Sequence, residues 1–343
     1  MDVLTSRRIV LLGKTGAGKS SLANTILGDK LFTTNHTPNS GTSECQAKTK
    51  SVNGRSITLI DTPGFFDAER SEEEMRPEIV RCITECAPGP HAFLVVLKVE
   101  KFTEQEQDVI AKICKYFTED ALKYAVIVFT HGDQLQEGMK LEEFVSQNKN
   151  LRDLVKKCGD RCHVVDNKYW KDNEEDNYRS NQFHVAELLN TLDKMMKTNK
   201  GSYYTNEMLQ EVKREIHTEE ELIRQSSGNM SREEIRNEAK INVFDRLLIR
   251  SVGFATGALL GAFLGVAEMV TLAVSNFQDL SNFSALVSTT KATAALAAQT
   301  GAAKGCWKGL HAAEGAESLG EAMQKAAKAV LNQSGIAADH NNK

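Results

Sequence analysis

Hydrophobic and polar positions follow different patterns in the two halves of the chain. In the first half, stretches with helical spacing alternate with five short apolar runs: Ile9–Leu12, Ile57–Ile60, Phe93–Leu97, Ala125–Phe129 and His163–Val165. Such alternation is typical of βα units around a mainly parallel sheet, with helices on both faces. Asn53-Gly54 is a two-residue turn signal between Gln46–Val52 and Arg55–Ile60, so one strand is expected to be antiparallel. The sequence predicts an α/β domain over residues 6–198.

The second half lacks this alternation. Residues 199–250 interleave Glu with Lys and Arg around apolar residues three or four apart, which predicts a charged helical extension. A break at Ser226–Asn229 precedes Ser231 and Glu234, whose spacing predicts a capping box at the start of a new helix. Residues 314–343 are rich in alanine and predict a helical tail with a frayed end.

A long apolar segment covers residues 251–313. Glycine recurs at every fourth position from Gly253 to Gly265 and again from Gly301 to Gly309. A helix with such a stripe lets another backbone approach closely, and Ser251–Ala267 carries no charge, so two glycine-striped helices form a candidate membrane hairpin. The alternative is a helical pair that packs in water, which Glu268 and the abundance of Ala, Ser and Thr favour.

Composition limits the classes of partner. Hydrophobic residues make up 41% of the 343 residues and charged residues 26%, values that exclude a wholly disordered chain. Because the net charge is −4, no overall basic field favours nucleic acid, and none is expected as a partner. The seven cysteines lack zinc-ligand spacing and the start lacks signal-peptide features, so free, buried thiols in a reducing, cytoplasmic compartment are predicted.

The clearest chemical motif follows the first apolar run. That run leads directly into a full match to the P-loop pattern: Gly13, Lys14, Thr15, Gly16, Ala17, Gly18, Lys19 and Ser20. The glycines let successive amides turn around a triphosphate, Lys19 reaches its β- and γ-phosphates, and Ser20 supplies a ligand to Mg²⁺. Together with Ser21, these residues are the predicted phosphate site.

A second phosphate element lies at the end of the next apolar run. In the motif Asp61–Gly64, the carboxylate of Asp61 can hold Mg²⁺ through water and the Gly64 amide can meet the γ-phosphate. Residues 32–51, between the two motifs, are rich in Thr, Ser and Asn and suit a nucleotide-sensing switch. The predicted hydroxyl ligand to Mg²⁺ in this switch is Thr42, with Ser43 and Thr37 as alternatives.

Base recognition is expected at the ends of two later strands. The run Ala125–Phe129 leads into Thr130–Asp133, and the carboxylate of Asp133 can accept hydrogen bonds from both N1 and N2 of guanine. Adenine does not offer this pairing. The usual Asn-Lys-x-Asp motif of GTPases is only half present in this segment. Asn167, after the run at His163–Val165, is the candidate second contact near the base.

These motifs resemble those of the GTPases of immunity-associated proteins, the GIMAP family, which is grouped with septin-like and chloroplast-import GTPases. The resemblance covers residues 6–198, and beyond the P-loop it includes four segments: Asp61–Phe66, Ala87–Leu97, Phe102–Gln107 and Phe129–Leu135. It implies a guanine-nucleotide domain in which His131 packs beside the base and Asn167 helps to hold it. It also implies nucleotide-dependent dimers or filaments on a membrane.

The motif that starts at Asp61 lacks a catalytic glutamine. Phe65 and Phe66 follow it where Ras-like enzymes place the glutamine that orients water, so slow intrinsic hydrolysis is expected. The candidate helpers are Thr62, Ser40, Lys14 or a group from a second subunit.

The sequence therefore predicts a GTP-operated switch that uses Mg²⁺ and dimerises or oligomerises through its nucleotide face, on the cytosolic side of an internal membrane. Two alternatives stay open. A membrane scaffold would hold GTP without appreciable turnover, whereas a P-loop ATPase or kinase would bind ATP.

Overall fold

The computed structural model describes residues 7–34, 44–67, 71–100, 104–170, 177–226, 229–251 and 254–277. The strands are β1 Arg7–Leu12, β2 Gln46–Val52, β3 Arg55–Asp61, β4 Ala92–Lys98, β5 Ala125–Thr130 and β6 Cys162–Val164. The helices are α1 Lys19–Leu27, α2 Glu72–Cys86, α3 Glu104–Tyr116, α4 Glu119–Leu122, α5 Leu141–Ser146, α6 Lys149–Lys157, α7 Asn181–Thr198, α8 Glu207–Ser226, α9 Arg232–Arg250, α10 Thr256–Phe263 and α11 Ala267–Phe277.

The strands form one sheet in the order β2-β3-β1-β4-β5-β6. Strand β2 is antiparallel to β3, whereas the other neighbouring pairs are parallel. Asn53 and Gly54 join β2 to β3 with φ angles of 48° and 73°, the positive values that a tight two-residue hairpin requires. The predicted mainly parallel sheet with one antiparallel strand is confirmed.

Both faces of the sheet are covered by helices. Side chains alternate between the two faces along each strand. On one face, Leu94 and Val96 belong to a buried core that includes Leu22 of α1 and Leu188 of α7. On the other face, the ring of Phe93 lies 5.4 Å from that of Phe117 and the ring of Phe129 lies 5.9 Å from that of Phe144. The predicted P-loop α/β architecture is confirmed.

The chain forms two compact units. The first comprises Met1–Ser71, Glu85–Asn206 and Leu264–Val266, and it contains the whole sheet. Of the described residues, the second comprises those within Glu72–Thr84, Glu207–Phe263 and Ala267–Lys343. Most of α2 is thus grouped with the C-terminal helices, which the linear pattern of the sequence does not indicate.

Charged side chains join the helices of the second unit. The predicted capping box at Ser231 and Glu234 is present at the start of α9. Arg250 donates a 2.8 Å hydrogen bond to Glu215, and Arg246 donates one of 2.7 Å to Glu219. These carboxylates lie on α8, so the alternating charges of the sequence link neighbouring helices as well as covering a solvated face.

The apolar segment differs from its prediction. The prediction of one continuous glycine-striped helix is wrong for residues 254–277. The helix is interrupted between α10 and α11 at Gly265, where φ is 96°. Within the described ranges, no individual helix has the length and hydropathy needed to cross a bilayer, whereas α10 and α11 taken together do, with a 105° bend between them. The second stripe, Gly301 to Gly309, and residues 314–343 lie outside the described residues.

Among the described cysteines, the predicted free thiols are observed, but two of them are not fully buried. Cys45, Cys82, Cys86 and Cys158 are buried, whereas Cys162 is partly buried and Cys114 is exposed on α3. Burial raises the pKa of the Cys158 thiol to about 12, which makes it a poor nucleophile at neutral pH.

Candidate nucleotide site

An open cleft of about 1450 Å³ lies where β1, β3, β5 and β6 end. The carboxyl ends of parallel strands are the usual ligand site of open α/β sheets. The predicted site residues that line this cleft are Thr15, Gly16, Gly18, Lys19, Ser20, Ser21, Asp61, His131, Asp133 and Asn167. Four others are absent from its described lining, namely Gly13, Lys14, Ala17 and Gly64. Thr42, with its alternatives Ser43 and Thr37, lies outside the described residues, as does Ser40.

The P-loop turns tightly into α1 at Gly18. This residue has a φ of 84°, and a Cβ added to it would lie 3.2 Å from Asn167 Nδ2 and 3.3 Å from Thr130 Cγ2. Glycine therefore lets the two base-side loops approach the phosphate loop. Because α1 begins at Lys19, its first residues, Lys19, Ser20 and Ser21, line the same cleft, where a helix N-terminus favours negative charge.

The ammonium group of Lys19 lies across the P-loop. Its Nζ donates hydrogen bonds to the carbonyl oxygens of Gly13 at 3.1 Å and Lys14 at 2.9 Å, and the residue is 5% exposed. A buried cation held by two backbone carbonyls of the P-loop can attract and orient a polyphosphate.

The two predicted magnesium ligands that the structure describes are in contact. Ser20 donates its hydroxyl hydrogen to Asp61 Oδ2, and Asp61 is 1% exposed at the end of β3. A hydroxyl and a carboxylate are hard oxygen donors of the kind that Mg²⁺ prefers, and Mg²⁺ keeps several waters besides them. The donor set at this position therefore fits Mg²⁺.

The two candidate helpers for hydrolysis that the structure describes, Thr62 and Lys14, form contacts outside the cleft. Thr62 is fully buried and donates its hydroxyl to the carbonyl of Leu11 at 2.6 Å, so it does not line the cleft. Lys14 pairs with Glu100 at 2.9 Å. Phe65 and Phe66 are 5% and 2% exposed, and a buried phenyl ring cannot orient water.

The loop after β5 is tied to the P-loop through Thr130. Its hydroxyl donates to the carbonyl of Ala17 at 2.8 Å and lies 3.0 Å from Nδ1 of His131. His131 has a φ of 58°, which turns its ring into the cleft lining. Burial, reinforced by the nearby Lys98, lowers the pKa of His131, so its ring is neutral at pH 7 and presents an uncharged face.

Asp166 lines the cleft but was not predicted from the sequence. Its Oδ1 accepts hydrogen bonds from the amides of Lys168 at 2.8 Å and Trp170 at 3.2 Å, and also from the Tyr169 amide. Its Oδ2 accepts a 3.4 Å bond from the amide of Asp133. Asp166 therefore joins the two loops that flank the predicted base site. An aspartate next to Asn167 at a strand end was the available signal, because such residues organise the turn after them.

The carboxylates of Asp133 and Asp166 affect each other. Partial burial raises the pKa of Asp133, and its hydrogen bond with Asp166 raises it further. Burial alone would raise the pKa of Asp166 as well, but the hydrogen bonds that it accepts from Asp133 and the following amides lower it below its ordinary value. Asp133 is thus the member of the pair that takes up a proton first on acidification.

Asn167 connects the base side of the cleft to α1. Its Oδ1 accepts a 3.0 Å hydrogen bond from Thr25, and its Nδ2 lies 3.5 Å from the carbonyl oxygen of Gly18. Trp170 packs against Gly132, where an added Cβ would lie 2.6 Å from the indole ring. Neither Thr25 nor Trp170 was predicted from the sequence, because neither belongs to a local motif.

The sheet order and the loop between β1 and α1 are those of a P-loop nucleotide-binding fold. Against models of protein families, residues 7–223 match the model described as the AIG1 family. That match covers more than half of the 343 residues, so the chain belongs to the AIG1 family. Because GTPase IMAP proteins are among its similar relatives, the resemblance to the GIMAP family is confirmed.

Several known proteins are similar to this chain. Immune-associated nucleotide-binding protein 8 of Arabidopsis thaliana is 36% identical over 230 residues, which are 64% of this chain and 63% of that protein. Immune-associated nucleotide-binding protein 13 of the same plant is 32% identical over 70% of this chain and 71% of its own length. GTPase IMAP family member 8 of Homo sapiens is 30% identical over 59% of this chain and 30% of that protein.

A solved structure of Toc33 from Arabidopsis thaliana in complex with GDP and Mg²⁺ is 20% identical. The alignment covers 55% of this chain and 84% of that one, with a TM-score of 0.43.

Proposed function

We propose that this protein binds guanine nucleotide with Mg²⁺ and hydrolyses GTP slowly. The observation that carries the proposal is the convergence of three predicted elements in one cleft: Lys19 on the P-loop, the pair Ser20 and Asp61, and Asp133. The relatives support it, because their names describe nucleotide-binding proteins and GTPases. Titration with fluorescent GDP, followed by competition with GTP and ATP, tests the proposal, and equal competition by ATP would favour the ATPase alternative.

Each element of the cleft has a role in this proposal. The P-loop amides and Lys19 bind the phosphates, and Ser20 and Asp61 hold Mg²⁺, which supplies positive charge to the phosphoryl oxygens when bound. Asp133 accepts hydrogen bonds from guanine, while the neutral ring of His131 packs beside the base. Asn167 holds the base-side loop against α1.

We propose that a second copy of the protein assists hydrolysis. Within the described residues, Phe65 and Phe66 are buried and the hydroxyl of Thr62 is bound to a backbone carbonyl. A cleft without its own water-orienting group gains most from a group supplied across an interface. The γ-phosphate contacts expected at Gly64 can order the neighbouring surface and favour the dimer.

We expect GTP turnover per molecule to rise with protein concentration, because a dimer supplies a water-orienting group that the described residues of one copy do not place in the cleft. GTP turnover measured at protein concentrations from about 0.1 to 100 µM checks this, because the range covers the Kd values of ordinary transient association. Sedimentation in GDP and in a non-hydrolysable GTP analogue is the control, and the analogue should give the larger species. Constant turnover with identical sedimentation would contradict the dimer mechanism, and absent turnover with retained binding would favour the scaffold alternative.

A second candidate function is association with the cytosolic face of a membrane through residues 251–313. It is favoured by the apolar pair α10 and α11, which together reach the length and hydropathy of a bent span. Carbonate extraction of cells that express the full chain should leave it in the membrane fraction, and a chain ending at Arg250 should be released. GDP binding by the shortened chain is the control for its fold. Release of both proteins would instead favour soluble packing of the apolar helices.

A further inference from the structure

The turn that follows the second phosphate element brings a carboxylate onto the P-loop. Asp67 lies three residues after Gly64, and its backbone amide donates a 3.1 Å hydrogen bond to the Gly64 carbonyl. Its side chain then accepts a hydrogen bond from the backbone amide of Thr15, with distances of 3.0 Å to Oδ1 and 3.3 Å to Oδ2. One carboxylate therefore bridges the two motifs that are proposed to hold phosphate.

This carboxylate lies beside the residue whose amide is proposed to meet the γ-phosphate. A Cβ added to Gly64 would collide with the Asp67 carboxylate and with the hydroxyl of Thr15. Gly64 carries the amide proposed to meet the γ-phosphate, so Thr15 is at the γ-phosphate end of the P-loop. The Asp67 side chain thus accepts a hydrogen bond from an amide at this end of the P-loop and occupies the space beside Gly64.

The backbone that carries Asp67 is anchored. Phe65 and Phe66 are buried, and Lys112 of α3 donates a 2.7 Å hydrogen bond to the carbonyl of Phe66. Among the described residues, no Lys or Arg forms an ion pair with Asp67. Its negative charge is therefore held near the P-loop by fixed neighbours and is compensated there by an amide dipole.

We propose that Asp67 determines how the site discriminates between GDP and GTP, an inference that rests on the proposed function. GDP extends to the β-phosphate and leaves the contact between Asp67 and Thr15 in place. GTP brings a charged phosphoryl group to the same amides, so the carboxylate must leave or repel it. Asp67 lowers the affinity for the triphosphate relative to the diphosphate and makes the turn after Gly64 respond to the γ-phosphate.

The test compares the full-length protein with its Asp67→Asn variant. Asparagine keeps a carbonyl oxygen that can accept the hydrogen bond from Thr15 but removes the charge. We expect the ratio of Kd for a non-hydrolysable GTP analogue to Kd for GDP to fall about tenfold, equivalent to about 1.4 kcal/mol, through tighter analogue binding. Isothermal titration calorimetry at fixed Mg²⁺ measures both constants.

Two further variants make the test specific. Asp120→Asn removes a carboxylate that is exposed and paired with Lys123, and it should leave the ratio unchanged. Asp67→Ala removes the charge together with the hydrogen bond and should lower the ratio in the same direction as Asp67→Asn.

The outcomes separate this inference from the proposed function. If the ratio of the two Kd values is the same in wild type, Asp67→Asn and Asp67→Ala, the inference about Asp67 is overturned. The proposed function still stands in that case, provided that the protein binds GDP. Slower turnover with an unchanged ratio also overturns it and assigns Asp67 to the chemical step. If the wild-type protein does not bind guanine nucleotide, both the proposed function and this inference are refuted.

Discussion

Replacement of Lys19 by alanine is expected to abolish guanine-nucleotide binding while leaving the sheet intact. The ammonium group of Lys19 is buried and already oriented by the carbonyls of Gly13 and Lys14. Removing one partner of a buried charge pair costs about 3 to 5 kcal/mol, which is more than a hundredfold in affinity. Fluorescent-GDP titration measures the loss, and circular dichroism checks the fold.

The other lysine of the same loop, Lys14, is the matched comparison. The side chain of Lys14 pairs with Glu100, and Lys14 is absent from the described lining of the cleft. Lys14→Ala keeps the backbone amide and should weaken binding by no more than a few fold. Ser20→Asn should lose the part of the affinity that depends on Mg²⁺, because its hydroxyl ligand is gone. Micromolar GDP binding that survives in Lys19→Ala would show that the phosphate site lies elsewhere.

Local sequence motifs predicted the structural features that are determined by a few neighbouring residues. The hairpin at Asn53 and Gly54 was predictable because two positive φ angles select these residue types. The P-loop was predictable because cradling a phosphate requires glycine, lysine and a hydroxyl at fixed spacing. Helix boundaries such as the capping box at Ser231 and Glu234 follow from the same kind of local hydrogen bonding.

Features that depend on distant contacts were missed. Asp166 supports the base-side loops through amides up to four residues ahead and through Asp133, which lies 33 residues earlier in the sequence. Asp67 reaches Thr15 across 52 positions, and no spacing rule predicts that pair. The break at Gly265 was hidden because an evenly spaced glycine stripe is equally compatible with one helix or with two.

We expect Asp133→Asn to exchange guanine preference for xanthine preference. A carboxylate offers two acceptors to the N1 and N2 hydrogens of guanine, whereas an amide offers one acceptor and one donor. The donor of the amide faces an amino group in guanine but a carbonyl oxygen in xanthine. Because a hydrogen bond to a charged group contributes about 1.5 to 3 kcal/mol, the expected loss of GDP affinity is at least tenfold. Competition of a labelled nucleotide by GDP, XDP and ADP measures the exchange.

Asp166→Asn is the control that separates base recognition from loop support. Asp166 binds backbone amides, so its replacement should weaken GDP and XDP alike and create no preference for xanthine. If Asp133→Asn still discriminates fully against xanthine nucleotides, the base is recognised by other residues.

The pH dependence of GDP affinity tests independently whether Asp133 recognises guanine. Guanine recognition needs the ionised form of Asp133, whose pKa is raised by partial burial and by Asp166. Protonation removes an acceptor, so wild-type affinity should fall on acidification at a higher pH than an ordinary aspartate would give. Asp166→Asn should shift this fall to lower pH, because one cause of the raised pKa is removed. Asp133→Asn should lose this component of the pH dependence, since its amide does not titrate.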